Sequence, residues 1–258
     1  MDPKWENSLR IIENAVDEYW PKIAVACSFG KDSMVVVHLA KKVRKDIPVF
    51  SVMTPYKPRE TFEYLVKMDR EMNLNTTVYI VSKNIPEPLK NAGIKVVLLS
   101  PEKFEKAAQD VEKRTGMKIY HADPDLCCNL LKVEPTKVAV KDLDAWITGL
   151  RNTEGETRKD YQTIENRYGL IKINPILSWT EADVWRYMAA HSIPVHPWYT
   201  MGYRSLGCEP CTHPGGERER DGRWRGTPKQ GGECGIHTQN LRAPTDTTIV
   251  QLVRTKQG

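Results

Sequence analysis

Apolar residues recur at helical spacing through residues 7–19, NSLRIIENAVDEY, and the pattern changes abruptly at 22–28, KIAVACS. That short, nearly all-apolar run with β-branched residues predicts a buried strand. Gly30 and the helical stretch DSMVVVHLAKKV follow at once, giving a strand, a tight loop and a helix. The unit recurs more loosely. IPVFSVM (47–53) and NTTVYIVS (75–82) read as strands with helical PRETFEYLVKMDREMN between them. LDAWITGL (143–150) and GLIKINPI (169–176) read as two later buried strands, preceded by helical PEKFEKAAQDVEKRTG and NLLKVEPTKVAVKD. This alternation predicts an α/β fold, a mostly parallel sheet of five or six strands with helices on both faces. Ligands in such sheets bind outside the carboxyl ends of the strands, which directs attention to the loop at 28–33.

Thr180 opens SWTEADVWRYMAAHS as a capped helix with Glu181 and Asp183 in its first turn. From 193 onward Pro, Gly, Arg and Cys dominate and periodicity is lost. The expected division is an α/β domain over 1–192 and a C-terminal lid segment over 193–258.

Composition adds limits. The chain has 258 residues, 40% of them hydrophobic, enough for a packed core. Its net charge of +5 comes from 38 basic and 33 acidic residues mixed along the chain. That balance suits an anionic small molecule or an acidic partner and is too mild to argue for nucleic acid. The charged N-terminal stretch has no apolar signal region, and runs such as VVLL (96–99) fall far below the roughly 20 residues that span a bilayer. The expectation is a soluble, cytoplasmic protein without a membrane partner. In that reducing compartment, six cysteines point to metal or redox chemistry rather than to disulfides.

Two sequence features carry candidate chemistry. CSFGKDS (27–33) puts Gly, Lys and two Ser at a strand-to-helix junction, where backbone N–H groups favour an anion. It lacks the Walker pattern. The second feature is a set of four thiols, the vicinal pair Cys127 and Cys128 and the Cys208-x-x-Cys211 pair, which suits zinc or an iron-sulfur cluster. The adjacent pair leans toward a cluster. Cys234 remains outside this set, in a segment flanked by the glycine-rich stretches HPGGE and TPKQGGE.

SFGKDS resembles the PP-loop of the adenine nucleotide α-hydrolase-like superfamily. CCNLLKVEP, LDAWITGLRNTEGETR, IPVHPWYTMGYRSLGCEPCT, GERERDGRW and ECGIH then appear in the order found in assimilatory adenylylsulfate (APS) reductases of the PAPS/APS reductase family, where PAPS is 3′-phosphoadenylylsulfate. The resemblance implies a [4Fe-4S] cluster on Cys127, Cys128, Cys208 and Cys211, with Cys234 as the nucleophile. It implies substrate contacts from Ser28, Gly30, Lys31 and Ser33 in the loop, and from Lys132, Arg151, Arg220 and Arg223. His237 joins Cys234 as a catalytic residue, and with Arg220 and Arg223 it is expected to lower the thiol's pKa. A thioredoxin-like dithiol protein is the implied reductant, and a homo-oligomer is compatible.

The chain also departs from the family pattern. Where relatives commonly carry LDTGxxFPET, this sequence has VMTPYKPRET (52–61), with Met53 in place of the acidic residue. Lys31 in the loop leaves PAPS open as substrate. An ATP-using sulfurtransferase or adenylating enzyme of the same fold carrying a cluster, and a non-enzymatic cluster-bearing sensor or nucleic-acid-binding protein, are the rival readings. The last 20 or so residues have no assigned role.

Overall fold

The apolar runs of the first hundred residues become the strands of one sheet in a computed structural model that describes residues 2–256. In chain order the first elements are α1 (Pro3–Tyr19), β1 (Ile23–Ala26), α2 (Lys31–Val43), β2 (Val49–Met53), α3 (Arg59–Glu71), β3 (Thr77–Val81), β4 (Lys95–Leu99) and α4 (Glu102–Thr115). Next come α5 (Ile119–Ala122), α6 (Pro124–Cys128), a π-helical turn at Asn129–Val133, α7 (Glu134–Ala139) and β5 (Ala145–Ile147). The chain closes with β6 (Ile164–Arg167), β7 (Leu170–Ile173), α8 (Glu181–Ala190), α9 (Pro197–Thr200), α10 (Gly235–Thr238) and β8 (Ile249–Arg254).

The sheet has eight strands, not five or six, in the order β6-β7-β5-β1-β2-β3-β4-β8. The six interior strands pair in parallel, and both outer strands, β6 and β8, are antiparallel. Two of the three additional strands have physical reasons for escaping the sequence pattern. β4 is as long and as buried as β2 and β3, so its VVLL run carried the same signal. β6 and β8 are edge strands with largely exposed side chains and so lack a buried period. β8 gives the C-terminal extension a place: Val253 pairs opposite Val96, and Leu252 opposite Val97.

Alternation along each interior strand divides the core. Ile23 and Val25 face the layer built by α1, α2, α3 and α8, whereas Ala24 faces the opposite side with Phe50, Val133 and Trp146. Strand order reverses between β5 and β1, so the carboxyl ends of these two strands diverge and leave a crevice. Gly149, just past β5, closes one wall of it. A Cβ there would lie 2.8 Å from the Asp32 carbonyl carbon and the Ser33 nitrogen, so only glycine lets β5 approach the α2 start. Phe29, in the loop before α2, sits at φ +61°, a strained conformation for a bulky residue. Its ring is fully buried, edge-on to Tyr64 at 6.4 Å.

Helix α8 carries the cap that its sequence announces. Thr180 Oγ1 accepts from the Asp183 N–H at 3.2 Å, and the Thr180 N–H donates to the Asp183 carboxylate at 2.8 Å. No helix among the described residues is long and apolar enough to cross a membrane.

Two histidines in this framework set a pH response. The Trp198 N–H donates to His196 Nδ1 at 3.1 Å, which leaves Nε2 to donate to Thr61 Oγ1 at 3.0 Å, the pattern of a neutral ring. Burial, with Lys57 nearby, pushes His196 down to about 4, and burial with Lys42 and His191 does the same to His38. Between pH 6.5 and 5 the unfolded chain therefore binds protons that the folded chain refuses, so stability is present above the ordinary histidine pKa and declines as pH falls. Asp183 runs opposite to the histidines in cause. Burial opposes its ionisation, but Lys4 and Thr180 bring it down to about 2, so its contribution is lost only at lower pH. The buried His237 and the partly buried His191 are lowered in the same direction, so the unfolding free energy from denaturant titrations should fall between pH 7 and 5 with a slope of more than about two protons, and His38→Gln should remove roughly one of them.

Candidate active site

At the β5/β1 switch point the strand ends surround a cavity of about 200 Å³. Ala26, Ser28, Gly30 and Ser33 line it from β1 and its loop, Phe50 and Val52 from β2, and Thr148 to Leu150 from the end of β5. The loop is knitted together by its hydroxyls: Ser28 and Ser33 lie 3.2 Å apart, and Ser33 donates to the Gly30 carbonyl at 2.9 Å. One of its amides is already occupied, since the Lys31 N–H donates to the Tyr199 hydroxyl at 2.9 Å. The C-terminal segment supplies the opposite wall with Leu206, Gly207, Arg220, Arg223, Trp224, Cys234 and His237. A Cβ at position 207 would overlap the Arg223 guanidinium, so glycine is required for that side chain to lie there.

A second, smaller cavity adjoins. Cys127, Cys128, Cys208 and Cys211 all line it, together with Thr54, Tyr56, Tyr120, Pro124, Leu131 and Lys132. Two segments 80 residues apart in sequence are thus brought face to face, one on α6 and one on the short turn at Glu209–Cys211. As the side chains stand, no group of three or more His, Cys, Asp or Glu among the described residues is placed to hold a single metal ion. All four thiols are buried. Burial pushes the Cys211 thiol up to about 11, and burial with its cysteine neighbours raises Cys127 and Cys128 as well. Cys208 goes the other way. Burial alone would raise it, but Lys132, Lys57, a 3.1 Å contact with Thr54 Oγ1 and Arg223 bring it below its ordinary value. Lys132 lines both cavities. Cys234 is half-buried in the larger one and packs against the group formed by Cys128, Cys208, Cys211 and Trp224. The Trp224 indole N–H is buried and has no hydrogen-bond partner.

The structure redistributes the basic residues named from sequence. Lys132, Arg220 and Arg223 line the main cavity, but Lys31 and Arg151 are not among its lining residues. Lys31 Nζ lies 2.8 Å from Glu219 and 3.1 Å from Asp32, and Arg151, fully buried, bonds the same two carboxylates at 2.5 Å each. Their charge fastens the segment carrying Glu219 to the start of α2. A second quartet lies in the cavity wall, where Arg158 binds Glu233 at 2.5 and 2.9 Å and also bonds Glu154. Arg220 contacts the same two carboxylates, at 3.2 Å to Glu233 and 3.5 Å to Glu154. Although burial opposes it, Arg158 and Arg220 hold Glu233 well below the usual carboxylate range.

His237 is not the cation expected beside Cys234. Burial, then Lys172, drives its pKa well below the ordinary value, so the ring stays neutral. It stacks on Trp146 at 6.4 Å and 18°, and its buried Nδ1 has no partner. Trp198 and Tyr203 stack on each other at 4.3 Å, outside the cavity lining. Cys27 lines the cavity but burial pushes it up to about 12, which keeps it a thiol. Sequence reading missed Lys57, Glu154, Arg158, Tyr199 and Glu233, all of which line the cavity. Arg158 and Glu233 lie within quoted motifs, so the signal for them was present, whereas Lys57 falls in the departing VMTPYKPRET stretch.

A family model described as the phosphoadenosine phosphosulfate reductase domain matches residues 22–99 and 90–214. The adenosine 5′-phosphosulfate reductase of Bacillus mycoides is 36% identical over 238 residues, covering 91% of this chain and 92% of that protein. The chain belongs to the PAPS/APS reductase family. Its fold is shared with solved structures as well. Candida auris phosphoadenylyl-sulfate reductase, 23% identical, superposes with a TM-score of 0.61 over 80% of this chain and 90% of that one. Candida glabrata FMN adenylyltransferase, 15% identical, gives 0.54 over 82% of this chain and 64% of that one. Within the PAPS/APS reductase fold, the cavity occupies the strand-end crevice where doubly wound sheets bind ligands.

Proposed function

We propose that the protein reduces adenylylsulfate to sulfite and AMP through an S-sulfonate on Cys234, with a thioredoxin-like dithiol as reductant. The observation that carries this reading is the position of Cys234. It lines a cavity that begins at the loop after β1, ends among Lys132 and Arg223, and abuts the cavity ringed by the other four thiols. The Cys234 thiolate attacks the sulfuryl sulfur, an S–S bond forms, and the S–O bond breaks with its electron pair leaving on the phosphate of AMP. Lys132, Arg220 and Arg223 stabilise the oxygens as charge moves. His237, as a neutral ring, offers its unpartnered Nδ1 to a ligand in the cavity. One thiol of the dithiol then attacks Cys234 Sγ and releases sulfite, and the second thiol resolves the mixed disulfide, so the dithiol supplies both electrons.

The four buried thiols line one small cavity, and a set of four thiolates with an adjacent pair is chemistry suited to a [4Fe-4S] cluster. The orphaned Trp224 N–H and the Lys132 cation are donors suited to its negative charge. When bound there, such a cluster would orient and polarise the substrate from behind Lys132.

The ground that Lys31 offered for PAPS falls away, since its ammonium is bound to Glu219 and Asp32 outside the cavity lining. To test the assignment, anaerobically purified protein is incubated with labelled adenylylsulfate, PAPS or ATP and digested for mass spectrometry. Adenylylsulfate should place label on Cys234 and release AMP, and a dithiol should free the label as sulfite. Absence of an adduct from either sulfonucleotide overturns the reading.

A further inference from the structure

Five basic side chains line the main cavity: Lys57, Lys132, Arg158, Arg220 and Arg223. Arg158 and Arg220 are already neutralised by Glu154 and Glu233. The remaining three have no carboxylate partner among the described residues. The Arg223 guanidinium bonds the Leu206 carbonyl, lies 4.6 Å over the Trp224 ring and has a buried, unpartnered Nε. Lys57 lines the same cavity as Lys132, Arg223 and Cys234. Three cations without a carboxylate partner line one cavity, an arrangement suited to a bound anion.

The segment that delivers Lys57 is anchored for the purpose. Thr54 contacts Cys208 Sγ, the Tyr56 carbonyl accepts from the Glu209 N–H at 2.8 Å, and the Tyr56 ring lies edge-on to Tyr120 at 5.2 Å. The Lys57 N–H closes the turn onto the Thr54 carbonyl at 3.1 Å. The stretch that departs from the family pattern is therefore tied to the cysteine turn at one end and presents a lysine to the cavity.

We infer that Lys57, in the VMTPYKPRET segment, is a substrate-binding residue contacting the sulfuryl oxygens of the sulfonucleotide and of the S-sulfonate on Cys234, with Lys132 and Arg223 as the other two contacts. The inference rests on the reading of Cys234 as the sulfur acceptor. Binding adds no redox step. Lys57 holds oxygens that stay on sulfur as the S–O bond breaks and the S–S bond forms.

The test uses iron-loaded protein with Cys234→Ser as a non-reacting background, titrated calorimetrically with adenylylsulfate and with AMP, which lacks the sulfuryl group. Lys57→Gln should weaken adenylylsulfate by about 10- to 100-fold and AMP by less than about 3-fold, and Lys57→Arg should restore most of the loss. In the Cys234 protein, Lys57→Gln should slow label transfer to Cys234 by at least the same factor. Equal weakening of both ligands, or no weakening of either, overturns the assignment. Loss of iron from Lys57→Gln also overturns it, because the lysine would then serve the cysteine cavity. If protein with Lys57 and Cys234 intact forms no adduct, the reading beneath the inference has failed, and that outcome is distinguishable because it does not depend on position 57.

Discussion

Cys234→Ser should abolish sulfite production, lowering turnover by about 10³-fold or more, while leaving iron content and visible absorbance unchanged. The two halves of that result follow from two different placements. Cys234 lines the large cavity and is absent from the lining of the smaller one, so it is positioned to react and not to ligate. A serine hydroxyl in the same place is a far weaker nucleophile and a poor leaving group for the second step. The background folds normally, because Cys234 is half-buried at the start of a short turn and its N–H bonds the Glu233 side chain whichever residue follows. The measurement is coupled turnover with adenylylsulfate and dithiol, beside an anaerobic iron assay. Loss of colour together with activity would sink the division between one reacting thiol and four holding ones.

Cys208→Ser should give the opposite signature, with loss of iron and a fall in thermal midpoint of about 5–10 °C relative to the loaded protein. Cys208 is the thiol brought below its ordinary pKa by Lys132, Lys57 and Arg223, and it contacts Thr54 while its carbonyl accepts from the Thr212 hydroxyl at 2.8 Å. A bound cluster would join the α6 segment to the Glu209–Cys211 turn, so binding energy becomes folding energy for both. Removing iron from the Cys208 protein with a chelator should reproduce the drop and make the two proteins melt together. A Cys208→Ser protein with full iron and an unchanged midpoint would refute the ligand assignment.

The framework was legible where a side-chain period met burial. α2, α3, α4 and α8, with β1, β2, β3, β5 and β7, each carry an apolar pattern whose partner layer lies on a known face. β8 was not legible because its exposed residues pair with β4 from about 150 residues away, and no local window holds that relation. The predicted helix over NLLKVEPTKVAVKD is interrupted by the π-helical turn that carries Lys132 toward both cavities. Motif residues located the site, but charge alone did not say where it would be spent. Lys31 and Arg151 read as anion binders and are consumed by Asp32 and Glu219; Asp32 adjoins Lys31 in sequence, but Glu219 reaches both only in the fold. Lys57 had no motif to announce it. Its role rests on which neighbours lack a counter-charge, a property that exists only after folding.

The pairing of β8 with β4 also bears on how a dithiol would reach Cys234 in the proposed reaction. Upstream, the Lys229 ammonium bonds Asp125; downstream, the Arg242 guanidinium grips the carbonyls of Val140, Lys141 and Leu143, and the chain then runs on into the sheet edge. Cys234 thus rides on a segment fixed at both ends and pinned between them by the bonds of Glu233 to Arg158 and Arg220, and not on a free arm. If Cys234 carries the S-sulfonate as proposed, the rate of sulfite release should follow reductant concentration until the encounter itself saturates.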